Sequence, residues 1–89
     1  MYFVTEIDSD LYLGRELLFS KEKQVYFETV EAKLNQEFIN VKAVKLSELY
    51  QGLKDENNNE VIRLSKYAKA YQHAIQTKYP NADVKNYDE

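Results

Sequence analysis

The chain has no cysteine, and its 89 residues include only one histidine, two glycines and one proline. Without cysteine there is no disulfide framework, no zinc–thiolate site and no thiol nucleophile. The two glycines, Gly14 and Gly52, cannot form a P-loop or a dinucleotide-binding fingerprint, because each motif needs glycines at close spacing. These absences exclude the most easily recognised forms of nucleotide and redox chemistry.

Groups of residues typical of catalysis are also missing. Nucleophilic catalysis through the one histidine, His73, would need a serine or threonine partner, and no serine stands in a nucleophile-elbow sequence. The acidic residues Asp8 and Asp10, and likewise Asp55 and Glu56, are typical of solvated turns, which do not shift a carboxyl pKa toward catalytic values. We therefore predict no catalytic residue, no metal site, no cofactor and no enzymatic activity.

Long apolar runs are absent as well. No window approaches the roughly 18 apolar residues of a membrane span, and the N-terminal residues lack the pattern of a signal peptide. A composition of 44% hydrophobic and 30% charged residues is typical of a globular domain. We expect one small soluble domain over residues 1–89, in the cytoplasm and without a membrane partner. The excess of lysine over arginine hints at a low-GC bacterium or its phage as the source.

The first part of the chain favours β-strands. Tyr2–Ile7 is rich in aromatic and β-branched residues, and the turn-forming residues Asp8–Asp10 follow it. In Leu11–Phe19 most of the apolar residues share a face at period two, which predicts a second strand and therefore an N-terminal β-hairpin. A helix over Ser9–Phe19 stays open as the alternative, and it would make the domain mostly α.

Helical periodicity dominates much of the remaining chain. Residues 21–38 and 60–79 each place apolar side chains within an arc of about 120° on a helix. Residues 39–46 alternate and are β-branched, which predicts a short third strand, and residues 47–53 have the spacing of a short helix. Residues 80–89 are predicted to form a loose tail. The prediction is an α+β domain in which the hairpin and third strand pack on two amphipathic helices and one short helix.

Charge is unevenly distributed along the chain. The net charge is −3 at pH 7, yet residues 61–80 contain four basic residues and no acidic one. On a helix over 60–79 the side opposite the apolar stripe carries Arg63, Lys66, Lys69 and His73, with Ile62 exposed among them. A solvated helix face is the plain explanation, and a contact surface is the alternative. The predicted partner-binding residues are Arg63, Lys66, Tyr67, Lys69 and His73.

Tyrosine is abundant, with eight residues, and it is enriched at protein interfaces because its ring packs while its hydroxyl stays solvated. We therefore expect a small non-enzymatic accessory protein that binds a protein partner, or a second copy of itself, through the tyrosine-edged basic helix. Weak nucleic-acid binding through the same helix face is the alternative. The negative net charge and the scarcity of arginine, which reads guanine, disfavour it.

Overall fold

The computed structural model describes residues 1–7 and 13–88, and of residues 13–20 only the backbone. Its elements in chain order are β1 (Tyr2–Val4), α1 (Leu13–Glu37), β2 (Lys42–Val44), α2 (Leu46–Gly52), β3 (Val61–Leu64), a 3₁₀ turn (Lys69–Tyr71), α3 (Gln72–Lys78) and β4 (Asp83–Asn86). Four strands form one sheet and three helices accompany it, which confirms the predicted α+β class. None of the described helices is long and apolar enough to cross a membrane.

The described strands are all parallel and stand in the order β2-β1-β3-β4. Val4 of β1 lies between Val44 and Leu64 in register, so β1 and β3 form the centre of the sheet. Parallel neighbours need a crossover connection, and the helices lie in these connections. From β1 the chain continues to β2 on one side, and from β3 it continues to β4 on the other side, so the strand order changes direction between β1 and β3. In open parallel sheets, ligands bind beside such a point, outside the carboxyl ends of the strands.

Both faces of the sheet are covered by helices. Side chains of successive strand residues point to opposite faces. Val4 therefore belongs to the cluster with Leu49 of α2 and Ile75 of α3, and Phe3 belongs to the cluster with Val30 and Leu34 of α1. Burial of these apolar side chains supplies the main stabilisation of the fold, at about 25 cal/mol per Å².

The predicted N-terminal hairpin is wrong. β1 is parallel to both of its neighbours, and residues 13–19, predicted as part of a strand, belong to α1. Residues 8–12 lie outside the described part of the chain. The helix predicted over 21–38 is present but begins eight residues earlier, because once a helix is nucleated each added residue gains one backbone hydrogen bond. The alternative of a helix over Ser9–Phe19 agrees with the backbone of its described residues.

The predicted helix over 60–79 is also wrong. Its first part is strand β3, and only Gln72–Lys78 is α-helical. Ile62 and Leu64 are both fully buried at the two-residue spacing of a strand. After β3, the hydroxyl of Ser65 accepts the N–H of Tyr67 at 3.1 Å, and such a local bond replaces helical pairing of the backbone.

The C-terminal residues do not form the loose tail that was predicted. Asp83–Asn86 is strand β4, with Val84 buried. Backbone bonds extend the pairing with β3 at both ends, since Asp83 N–H donates to Glu60 O at 2.9 Å and Tyr87 N–H donates to Leu64 O at 2.8 Å. The predicted third strand and short helix are both present: β2 (Lys42–Val44) is a shorter strand inside the predicted 39–46, and α2 (Leu46–Gly52) begins one residue before the predicted 47–53.

Candidate functional site

The turn after β3 lies at the carboxyl edge of the sheet, and Ser65 fixes its shape. The N–H of Ser65 donates to Val4 O at 3.0 Å, and its hydroxyl donates to Thr5 O while accepting the N–H of Tyr67. Ser65 is fully buried. Because both its backbone and its side chain are engaged, the following residues, Lys66 and Tyr67, leave the sheet in a defined direction.

An aromatic cluster joins this turn to helix α1. The ring of Tyr67 meets the rings of Tyr26 and Phe27 edge-on, with centroids 5.7 Å away in each case. Phe27 in turn packs on Phe3 of the buried cluster at 6.2 Å. The side chain of Tyr67 is 37% exposed, so the cluster extends from the core to the surface.

Lysine side chains lie over the rings of this cluster. Lys66 Nζ is 4.5 Å from the ring centroid of Tyr26 and 5.5 Å from that of Tyr67. Lys23 Nζ is 5.1 Å from the Tyr67 ring and forms an ion pair with Glu6 Oε2 at 3.2 Å. Each cation–π contact at an exposed site contributes about 0.5–1 kcal/mol, which favours keeping these ammonium groups beside the aromatic rings.

The two lysines of the turn carry charge without an acidic partner among the side chains that the structure describes. Neither Lys66 nor Lys69 forms an ion pair with any residue in 1–7 or 21–88. Both are exposed, and Tyr67 lies between them in the chain. We call Lys66, Tyr67 and Lys69 the basic edge. It offers positive charge and an aromatic ring in a chain whose net charge is negative.

A cavity of about 260 Å³ opens beside the basic edge, at the carboxyl ends of β3 and β4. Its walls include side chains that are tied to other elements. Asp88 Oδ2 accepts the Tyr26 hydroxyl at 2.6 Å, and Asn86 Nδ2 donates to Gln72 Oε1 at 3.0 Å. The described residues that line the cavity are Leu64, Ser65, Lys66, Lys69, Asn86 and Asp88.

Tyr26 is the hydrogen-bonding link between the cavity and the basic edge. Its hydroxyl donates to Asp88 and accepts the backbone N–H of Lys66 at 3.0 Å. Burial, followed by the bond to Asp88, raises the pKa of Tyr26 to about 12. The phenol therefore stays protonated at neutral pH and remains a donor to the Asp88 carboxylate.

Of the five predicted partner-binding residues, three lie together as the basic edge. Arg63 instead lies on β3, where its guanidinium donates to Asp83 O at 2.9 Å and pairs with Asp83 Oδ2 at 3.2 Å. It also lies 5.7 Å from the ring centroid of Phe38. His73 is exposed on α3 and has no hydrogen bond or ion pair to a described residue. Arg63 is thus engaged with Asp83 and Phe38 within the domain.

Sequence reasoning did not identify Tyr26 and Asp88 as members of this site. Tyr26 had the spacing of a core residue on the predicted helix, and Asp88 lay in the predicted tail. Their proximity depends on β4 pairing with β3, which no local pattern encodes. Within the described residues there is no group of three or more histidine or acidic side chains that could hold a metal ion.

Comparisons of the chain with known protein families, with curated proteins and with solved structures gave no significant match, so its function has to be inferred from its own residues.

Proposed function

We propose that this chain is a non-enzymatic binding protein that contacts an acidic segment of a partner protein through the basic edge. The observation that carries the proposal is the exposure of Lys66 and Lys69, which flank the exposed Tyr67 in the chain and form no ion pair with any described acidic residue. Exposed positive charges such as these steer and orient a partner that carries negative charge.

The arrangement of the basic edge is favourable for binding because much of it is already ordered. Contacts with Tyr26 and Phe27 restrain the ring of Tyr67, and the Tyr26 hydroxyl holds the backbone of Lys66. Side chains that are fixed before binding lose less conformational entropy on association. A restrained tyrosine beside lysines can therefore serve as an anchor for a segment that combines acidic and apolar side chains.

Nucleic-acid binding has less support from the same geometry. Stacking of a base needs an open aromatic face, and Tyr67 has two ammonium groups over its ring as well as two ring neighbours. The predicted row of cations along one helix is also absent, because Arg63 lies on β3 and Lys66 and Lys69 lie in the turns that follow it. We therefore place the acidic protein partner ahead of the nucleic-acid alternative.

The test is the affinity for a fluorescent peptide of alternating glutamate and leucine, measured by anisotropy at low salt. The double variant Lys66→Glu, Lys69→Glu should weaken binding by at least about tenfold, or about 1.4 kcal/mol. The matched control is Lys33→Glu, Lys54→Glu, which changes the net charge equally at exposed lysines that lie outside the basic edge. An equal loss in both double variants would show non-specific charge attraction and would overturn the proposal.

Two further measurements separate the alternatives. Single-stranded DNA that bound more tightly than the peptide, with a steep salt dependence and a loss in the Lys66→Glu, Lys69→Glu variant, would replace the protein partner with nucleic acid. Light scattering on the chain alone tests the second copy. A dimer that this variant dissociates would make the partner another copy of the chain, whereas a monomer keeps the basic edge available for a different protein.

A further inference from the structure

We infer that the cavity at the carboxyl ends of β3 and β4 binds a small phosphomonoester that also carries hydroxyl groups, of the sugar-phosphate class. The inference goes beyond the proposed function, since its occupant is a small molecule. Three features carry it: the position of the cavity in the sheet, the two lysines on its wall, and the carboxylate of Asp88 beside them.

The cavity lies on the edge of the sheet at which open parallel sheets bind ligands, one strand to the side of the point between β1 and β3 where the strand order changes direction. The lining residues Leu64, Ser65, Asn86 and Asp88 belong to the last residues of two adjacent parallel strands or directly follow them. Ligands of such sheets lie outside the carboxyl ends of the strands. The volume of about 260 Å³ is slightly below the roughly 300–1,000 Å³ of drug-sized pockets, so a single phosphorylated sugar fits better than a dinucleotide.

The lysines supply the charge that a phosphate group needs. Lys66 and Lys69 line the cavity and have no ion pair with a described residue, so no described carboxylate has to be displaced from them. Two ammonium groups match a phosphomonoester, which carries a charge of about −1.5 to −2 at neutral pH. Ammonium groups bind phosphate as point charges and do not require the fixed two-bond geometry of arginine.

Asp88 determines which phosphate compounds are accepted. Its Oδ2 accepts the hydroxyl of Tyr26, and an ionised carboxylate can accept further hydrogen bonds at its other lone pairs. This negative charge on the cavity wall opposes a bare anion but offers an acceptor to a hydroxyl group. A ligand that carries both phosphate and hydroxyl groups satisfies the lysines and Asp88 together, which is how a repulsive element produces specificity.

The walls that would meet the ligand are fixed by bonds inside the domain. The Tyr26 hydroxyl holds Asp88, and the Asn86 side chain donates to Gln72, whose Nε2 in turn donates to Val84 O at 3.3 Å. The backbone of Lys66 is held by Tyr26 as well. Groups that are preorganised in this way need little rearrangement on binding, so affinity is not lost to ordering of the site.

The experiment uses ribose 5-phosphate, inorganic phosphate and ribose as probes, added to the ¹⁵N-labelled chain at constant ionic strength. Ribose 5-phosphate should bind at least about tenfold more tightly than inorganic phosphate, and ribose alone should not bind. Shifts of amide signals should be concentrated in residues 64–69 and 86–88. Equal affinities for the two phosphates, or shifts spread over all exposed lysines, would show general anion attraction and would overturn the inference.

Variants make the test independent of folding defects. Asp88→Asn should tighten inorganic phosphate and abolish the preference for ribose 5-phosphate, two opposite changes that unfolding cannot produce. Lys66→Gln with Lys69→Gln should abolish both affinities, whereas Lys54→Gln, outside the cavity, should change neither. If Asp88→Asn weakens both phosphates equally, Asp88 has no role in selection and the inference fails.

The outcome is separable from that of the proposed function. The acidic peptide is measured in its own assay, so peptide binding without sugar-phosphate selectivity removes only the small-molecule site. Sugar-phosphate selectivity without peptide binding removes only the protein partner. If both exist, ribose 5-phosphate must compete with the peptide, because the two ligands use Lys66 and Lys69.

Discussion

The hydroxyl of Tyr26 donates to Asp88 Oδ2 at 2.6 Å across 62 residues of the chain. The oxygen of the Tyr26 hydroxyl also accepts the backbone N–H of Lys66 at 3.0 Å. One side chain of α1 thus connects the turn after β3 with the residues after β4. These are the two segments between which the cavity opens, so Tyr26 sets the relative positions of the cavity wall and the basic edge.

Replacing Tyr26 with phenylalanine should lower the free energy of unfolding by about 1 kcal/mol. The variant keeps the ring contacts and removes both hydrogen bonds, and a value of about 1 kcal/mol suits a partly exposed bond whose groups can turn to water. Urea unfolding gives the value. Tyr71→Phe is the control, since Tyr71 is exposed and its hydroxyl bonds to no described residue. Equal losses in the two variants would contradict the role given to Tyr26.

Alkaline pH should destabilise the domain through its tyrosines. Tyr26 has a pKa of about 12 when folded, against 10.0 unperturbed, and burial also raises the pKa of Tyr50 and Tyr79. The folded state holds these protons more tightly, so the contribution of Tyr26 is complete below about pH 10 and is lost as pH rises toward about 12.

The measurement for this prediction is the free energy of unfolding at about pH 9 and about pH 11, where the unfolded phenols lose protons that the folded ones keep. Stability should fall between the two values, and it should fall less in Tyr26→Phe, which lacks one of these phenols. The same decrease in Tyr26→Phe and in the unaltered chain would show that Tyr26 does not contribute to the alkaline transition.

Variants of Arg63 and of the basic edge should affect different properties: a change at Arg63 should lower stability, and a change in the basic edge should lower the affinity for the acidic peptide. Arg63→Gln removes the bonds to Asp83, and it should lower the free energy of unfolding by about 1 kcal/mol, discounted because Asp83 is partly exposed. Affinity for the acidic peptide should stay unchanged. Lys69→Gln should give the reverse, a loss of affinity with unchanged stability, because Lys69 has no ion pair or cation–π contact with a described residue. A loss of peptide affinity in Arg63→Gln would mean that the binding surface extends onto the sheet.

Asn40 should tolerate glycine better than a β-branched residue. It lies between α1 and β2 with φ at 59°, in the left-handed region that asparagine and glycine adopt most readily. Asn40→Val should cost about 1–2 kcal/mol in urea unfolding, and Asn40→Gly only a few tenths. At Asn35, exposed within α1, the order should reverse, because glycine is the weaker helix former. The same ranking at both positions would contradict the left-handed assignment.

The sequence predicted the elements whose pattern is local. The strand predicted over 39–46 and the helix predicted over 47–53 are both present, because alternation and helical spacing act over a few residues each. The helix predicted over 60–79 was wrong although its apolar residues are buried as a helical stripe requires. Leu64 lies on β3, Ala68 in the turn after it, Ile75 on α3, and Tyr79 directly after α3. Ile62, expected on the exposed face, is fully buried, and that difference marks β3.

The candidate site could be predicted only in part. Lys66, Tyr67 and Lys69 were selected as members of one helix face, and they stay close together because they lie within four residues of one turn. Arg63 was assigned to the same face and lies instead against Asp83. The strand order that brings Tyr26 beside Asp88 depends on long-range parallel pairing, which single-sequence patterns do not specify.

The most direct test of the proposed binding surface is amide hydrogen exchange of the chain with and without the glutamate–leucine peptide. Binding at the basic edge predicts slower exchange in residues 64–69 and 86–88 and near Tyr26, with α2 unchanged. Protection centred on α2 and α3, or no protection at a peptide concentration that saturates the anisotropy signal, would contradict binding at the carboxyl edge of the sheet.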